Sequence, residues 1–203
     1  MKENLIFLSD CAISRYMKPR LTVLEPRTKV GLVLVITGHG KGKTTAALGM
    51  ALRAAGYDMK VCIIYLMKGD MYSGELDGIK KLSPNVEIQM TGKGFYGIMG
   101  NPYPLEEHRA NAQMAVKLAV EKMTSGQFDI LILDEINNAL KLGLVDLLQV
   151  IELIDKKPPL MHLILTGRDA HPEVIKRAHT VTEMKDIKHA FREGIEPQKG
   201  IDY

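Results

Sequence analysis

Leu32-Val33-Leu34-Val35-Ile36-Thr37-Gly38-His39-Gly40-Lys41-Gly42-Lys43-Thr44-Thr45, running on into Ala46-Ala47-Leu48-Gly49-Met50-Ala51-Leu52-Arg53-Ala54-Ala55, is the stretch from which the rest of the chain is read. An apolar, β-branched run, a Gly-rich turn closing on Gly-Lys-Thr and a segment of helical composition form the strand, loop and helix of a phosphate-binding loop. Glycines at 38, 40 and 42 open backbone dihedrals closed to other residues, so successive N–H groups can face an anion. The helix that follows adds its positive end. Lys43 sets a point charge against phosphate oxygens, the Thr44 hydroxyl suits a magnesium ion bridging them, and Thr45 supplies a further hydroxyl. The spacing departs from G-x-x-x-x-G-K-[ST]: only His39-Gly40-Lys41 separate Gly38 from Gly42, and Thr37 holds the usual first-glycine place. His39 presents its ring beside the nucleotide. The motif indicates a nucleotide site without choosing a reaction.

At 203 residues the chain is long enough for one α/β domain with a single core. Lys and Arg number 27 against 24 Asp and Glu, a net charge of +3, so charge suggests neither a nucleic-acid nor a membrane partner. Cys11 and Cys62 form no disulfide framework and no metal-ligand spacing, which fits a reducing, cytoplasmic setting. The patch Leu5-Ile6-Phe7-Leu8 is too short for a signal segment and is soon broken by Asp10. Residues 1–30, with Pro19 and Pro26, read as an irregular leader before a domain spanning 31–203.

From Leu32 onward apolar runs at 32–37, 61–66, 86–90, 130–133, 161–165 and 180–184 alternate with helical patterns at 43–56, 74–82, 104–124, 144–156 and 172–178. That alternation predicts an α/β, P-loop NTPase-like (RecA-like) three-layer fold with a mostly parallel sheet. Ligands in such sheets sit at the carboxyl ends of the strands. The residues following each strand are therefore candidates: Lys68-Gly69, Thr91–Phe95, Asp134-Glu135 and Thr166-Gly167-Arg168. Asp134-Glu135, directly after Ile-Leu-Ile-Leu, has the Walker B arrangement, a pair of hard anionic groups for magnesium and a proton acceptor.

Arg168 can fork onto phosphate or cap a neighbouring carboxylate. Arg53 lies two turns or more beyond the loop and is either a weak nucleotide-binding candidate or a solvated helix charge. Gly92-Lys93-Gly94-Phe95-Tyr96-Gly97-Ile98-Met99-Gly100 can fold apolar groups over a flat ligand or serve as a crossover that tucks two aromatics onto the core. Residues 188–203 are polar with spaced apolar anchors; composition alone favours a frayed tail over a docked arm.

Thr37-Gly38-His39-Gly40-Lys41-Gly42-Lys43-Thr44-Thr45-Ala46-Ala47 resembles the one-residue-short loop of the bacterial ATP:corrinoid adenosyltransferases, also called cob(I)yrinic acid a,c-diamide adenosyltransferases. Met67-Lys68-Gly69, Ser73-Gly74-Glu75, Gly94-Phe95, Leu133-Asp134-Glu135, Thr166-Gly167-Arg168-Asp169-Ala170-His171 and Val181-Thr182-Glu183 carry the likeness further. So do Lys188-His189-Ala190-Phe191 and Gln198-Lys199-Gly200-Ile201-Asp202-Tyr203, which turn the tail reading toward a docked arm. The resemblance covers residues 30–203. It implies transfer of the 5′-deoxyadenosyl group of ATP to the Co(I) of a corrinoid with release of triphosphate, in adenosylcobalamin synthesis or corrinoid salvage.

The resemblance also implies Mg²⁺ or Mn²⁺ held by Thr44, Asp134 and Glu135, a cytoplasmic homodimer and an electron-donor flavoprotein. Lys43, Thr44 and Glu135 take the catalytic positions, and ATP binds to the loop residues 38–45 with Arg53 and Arg168 as candidates. Phe95 and Tyr96 contact the corrinoid, Phe95 displacing donors from the lower cobalt face. The family pattern continues Phe-x-Trp, whereas this chain reads Phe95-Tyr96-Gly97 and has no tryptophan. The motifs without the resemblance would equally serve a P-loop ATPase releasing ADP and phosphate. The missing tryptophan would suit a non-catalytic protein that binds ATP and corrinoid.

Overall fold

Six short strands form where the apolar runs lie: β1 Val33–Thr37, β2 Val61–Tyr65, β3 Val86–Met90, β4 Ile130–Asp134, β5 His162–Thr166 and β6 Thr180–Glu183. The computed structural model describes residues 26–69, 72–94 and 102–203. Most of the 1–30 leader, and Phe95 and Tyr96, lie outside the described residues. The sheet order is β3-β2-β4-β5-β1-β6 and every pairing is parallel. One strand, β5, separates the loop strand β1 from β4 with its Asp134-Glu135 ending, and the all-parallel sheet agrees with the α/β fold that the alternating pattern predicts.

The strands can be apolar throughout because both faces are covered. Successive side chains alternate across the sheet. Val33, Val35, Cys62, Ile64, Leu131, Leu133, Leu163 and Leu165 enter one core, while Ile36, Val61, Ile63, Tyr65, Ile130, Ile132 and Ile164 enter the other. The first core is closed by α3 (Leu105–Thr124) and α5 (Leu147–Asp155), the second by α1 (Lys43–Ala55) and α2 (Gly74–Lys80). Helix α1 buries Ala47, Ala51 and Ala54, spaced for one helical face. Methyl side chains let that helix lie close to the sheet, which is what sets its first turn over the end of β4.

Two differences from the sequence pattern have local causes. The helix expected at 144–156 starts only at Leu147, because Gly143 turns with a φ of 68° and Asp146 is extended at the N-cap. A helix not expected from the pattern, α4 (Ile136–Lys141), starts directly from the strand with Glu135 in the left-handed region at φ 67°. The last helix, α6, covers Pro172–Arg177, with a 3₁₀ turn at Ala190–Glu193 beyond β6.

Candidate active site

The loop between β1 and α1 is shaped by its glycines against the chain that follows β6. Gly38 has a φ of 94° and Gly42 of 108°, conformations that side chains rarely adopt. At Gly40 the need is space: a Cβ would meet the Lys185 carbonyl oxygen at 2.6 Å, and the Gly40 N–H donates to the Met184 carbonyl at 2.7 Å. Lys43 Nζ donates to the Gly40 carbonyl at 2.8 Å, so the side chain lies back along its own loop. Burial, then the Arg168 charge, holds the Lys43 ammonium below the usual lysine range. A negative ligand in the loop would relieve both costs.

Below the loop, hydroxyls organise the carboxylates. Thr44 Oγ1 donates to Asp134, at 3.0 Å from Oδ1 and 3.2 Å from Oδ2. Thr166 Oγ1 donates to Asp134 Oδ1 at 2.7 Å and accepts the Glu135 N–H at 2.9 Å. Asp134 is 1% exposed, and burial pushes its carboxyl above the usual range against the pull of Thr166, Lys68 and Thr44. Glu135 is pushed to about 7, first by burial and then by Asp134. Its Oε2 is buried with no hydrogen-bond partner. A hydroxyl, a carboxylate held by two hydroxyls and an orphaned carboxylate oxygen are hard donors of the kind Mg²⁺ takes beside phosphate oxygens and water. Among the described residues no cluster of three or more His, Cys, Asp or Glu could hold a metal on protein ligands alone.

The remaining candidates divide by position. His39 Nε2 lies 3.1 Å from Asp169 Oδ1, linking the loop to the segment after β5. The Arg168 N–H donates to Asn138 Oδ1, and its guanidinium pairs with no carboxylate among the described residues. Its charge nevertheless acts on Lys43 and Glu135. Thr45 faces the cleft, whereas Arg53 is exposed in the last turn of α1, roughly 15 Å along the helix axis from Lys43. The structure brings Gly38 through Thr45, Asp134, Glu135 and Arg168 together and leaves Arg53 apart.

Residues 185–203 are docked rather than frayed. Lys41 Nζ pairs with Asp202 Oδ1 at 2.5 Å, and Gly200 to Tyr203 form one wall of a cleft of about 490 Å³ whose floor is Lys41 to Thr45. Lys68 and Glu75 form the facing wall. Asp202 and Glu75 carry no nucleotide motif of their own; they stand in stretches that carry the family likeness, and their tertiary placement sets them on the cleft. A second hollow of about 500 Å³ lies under the arm between Lys185 and Asp202. The cleft can hold a phosphate chain on its floor and an organic group between two walls.

Residues 29–203 match the family model described as ATP:corrinoid adenosyltransferase BtuR/CobO/CobP. The chain is 36% identical over 181 residues to a corrinoid adenosyltransferase of Pseudomonas aeruginosa, covering 89% of this chain and 88% of that one. It is 35% identical over 183 residues to corrinoid adenosyltransferase CobA of Salmonella typhimurium, covering 89% and 90%. Among solved structures, flagellar accessory protein FlaH of Methanocaldococcus jannaschii aligns with a TM-score of 0.47 at 12% identity, over 76% of this chain and 71% of that one. No helix among the described residues is long and apolar enough to cross a membrane.

Proposed function

The chain belongs to the ATP:corrinoid adenosyltransferase family, and on that premise we propose which of its groups carry the reaction. It is an enzyme that uses ATP to adenosylate a corrinoid, and the family match does not favour ATP hydrolysis or a purely binding role. In the proposed reaction Co(I) gives its electron pair to C5′ of ATP. The C5′–O5′ bond breaks and its pair leaves with triphosphate. Charge therefore builds on the oxygen next to the α-phosphate, and groups that meet it there act on the transition state more than on the substrate.

The observation that carries the assignment is the loop set over the carboxylates, with Thr44 bonded to Asp134 and Lys43 desolvated against its own backbone. The loop N–H groups and Lys43 bind the triphosphate, joined by Arg168 from across the site. Thr44, Asp134 and Glu135 would hold Mg²⁺, the buried Glu135 Oε2 without a hydrogen-bond partner being free to serve it. When bound, the ion neutralises part of the leaving triphosphate's charge. His39 positions the loop through Asp169. Phe95 and Tyr96 are assigned to the corrinoid by the family resemblance. A cytoplasmic homodimer served by a flavoprotein electron donor rests on the family resemblance.

Lys43→Ala tests the assignment. The variant should lose formation of the cobalt–carbon product while keeping its melting temperature, since Lys43 makes one hydrogen bond to its own loop. Product formation near the wild-type rate would remove the loop from the mechanism.

A further inference from the structure

Lys68 follows β2, whose Tyr65 is level with Asp134 of β4. It lines the cleft together with Lys43 and Thr44. Three observations show that its ammonium is fixed. Nζ stands 4.7 Å from the centre of the Tyr65 ring, and it is ion-paired with Glu75, both side chains being about four-fifths buried. The backbone is clamped as well: a Cβ on Gly92 would meet the Met67 and Lys68 carbonyl groups at 2.4 and 2.6 Å, and one on Gly69 would meet the Gly94 nitrogen at 2.4 Å. Segments 67–69 and 92–94 can lie this close only as glycine against backbone. The charge of Lys68 also reaches Asp134 and Glu135.

A lysine on an exposed stem would cost side-chain entropy on binding an anion; one already held on a ring and a carboxylate loses little. The other cations of the cleft belong to its floor, Lys43 lying along the loop and Lys41 on Asp202. Gly94, packed on Gly69, is bonded directly to Phe95. Lys68 thus stands beside the last described residue before the segment that the resemblance assigns to the corrinoid, and in the adenosyltransferase reading C5′ is presented toward the corrinoid.

We propose that Lys68, oriented by Glu75 and Tyr65, is a further triphosphate-binding cation of this site, in addition to Lys43 and Arg168, and meets the phosphate chain at its α-phosphate end. The proposal rests on the adenosyltransferase reading for which end of ATP faces the corrinoid. As the C5′–O5′ bond breaks, the electron pair passes to an oxygen on the α-phosphate, and the Lys68 ammonium offsets that charge without transferring a proton. Glu75 holds the ammonium until the phosphate competes for it.

The test is a binding series on the full chain with Mg²⁺, by calorimetry, using inorganic triphosphate, AMP and adenosine as probes. Lys68→Met should weaken triphosphate and AMP by about 10- to 100-fold, the range of a charge-assisted hydrogen bond, and leave adenosine unchanged. Lys68→Arg, which keeps the cation, should retain most of the affinity. Glu75→Gln, which loosens the ammonium but keeps it, should weaken triphosphate less than Lys68→Met does. Loss on triphosphate with AMP intact would overturn the end assignment. Equal losses on all three probes, or adenosine lost in Glu75→Gln, would overturn the phosphate role. None of these arms contains corrinoid, so a wild-type protein that fails to adenosylate would refute the function while leaving the Lys68 result to be judged by itself.

Discussion

Thr166→Val isolates the hydroxyl on which both acidic groups depend. Thr166 is 1% exposed; its Oγ1 donates to Asp134 Oδ1 at 2.7 Å and accepts the Glu135 N–H at 2.9 Å. Valine keeps the branched shape and deletes both bonds. The hydrogen bond to a carboxylate contributes about 1.5–3 kcal/mol, and the stranded Glu135 N–H costs about 1–3 kcal/mol, so the loss should total about 2.5–6 kcal/mol. For a domain of this length each kcal/mol moves the melting temperature by about 2–4 °C, giving a fall of roughly 5–24 °C. Thermal unfolding followed by circular dichroism, with urea titration for the free energy, reads the change. Thr166→Ser, which restores the hydroxyl, should recover most of it. A valine variant melting within about 2 °C of wild type would refute the reasoning that this hydroxyl holds the two carboxylates.

Other outcomes follow from the same geometry. Glu135 has a folded value of about 7 against 4.5 for the free group, so the fold binds the proton more tightly than the unfolded chain. Its stabilising contribution is complete below the free value and is lost as pH rises through about 7. In chelator-treated protein, Glu135→Gln should therefore be more stable than wild type at pH 8 and show a flatter pH profile between 5 and 8; parallel profiles would contradict this. Gly167→Ala puts a Cβ 2.6 Å from Asn138 Oδ1 at a φ of 127°, so it should destabilise by about 1–3 kcal/mol and displace Arg168. Urea denaturation at wild-type values would count against the close approach. Asp202→Ala removes an exposed ion pair and should leave the melting temperature unchanged while exposing residues 185–203 to limited proteolysis; unchanged resistance would show that the pair does not hold the arm.

What the sequence made legible was local. The loop, the strand-end Asp134-Glu135 and five of the six helices are signalled by runs of neighbouring residues, and Lys68 and Thr166 follow from the rule that strand ends face the ligand. Helix α4 left no signal because it begins with no spacer after β4, on a glutamate turned into the left-handed region. The docking of Asp202 on Lys41, of Asp169 beside His39 and of Glu75 on Lys68 joins segments far apart in the chain, and no periodicity encodes such pairs. Arg53 shows the converse. It is close to the loop in sequence, yet helical rise carries it to the far end of α1.

The central claim is tested most directly by an anaerobic reaction of the purified protein with Mg-ATP and chemically reduced cob(I)alamin, following the corrinoid spectrum and the phosphate products together. The predicted result is a light-sensitive alkylated cobalt species formed in equal amount with triphosphate. ADP and phosphate without a cobalt–carbon product would contradict it.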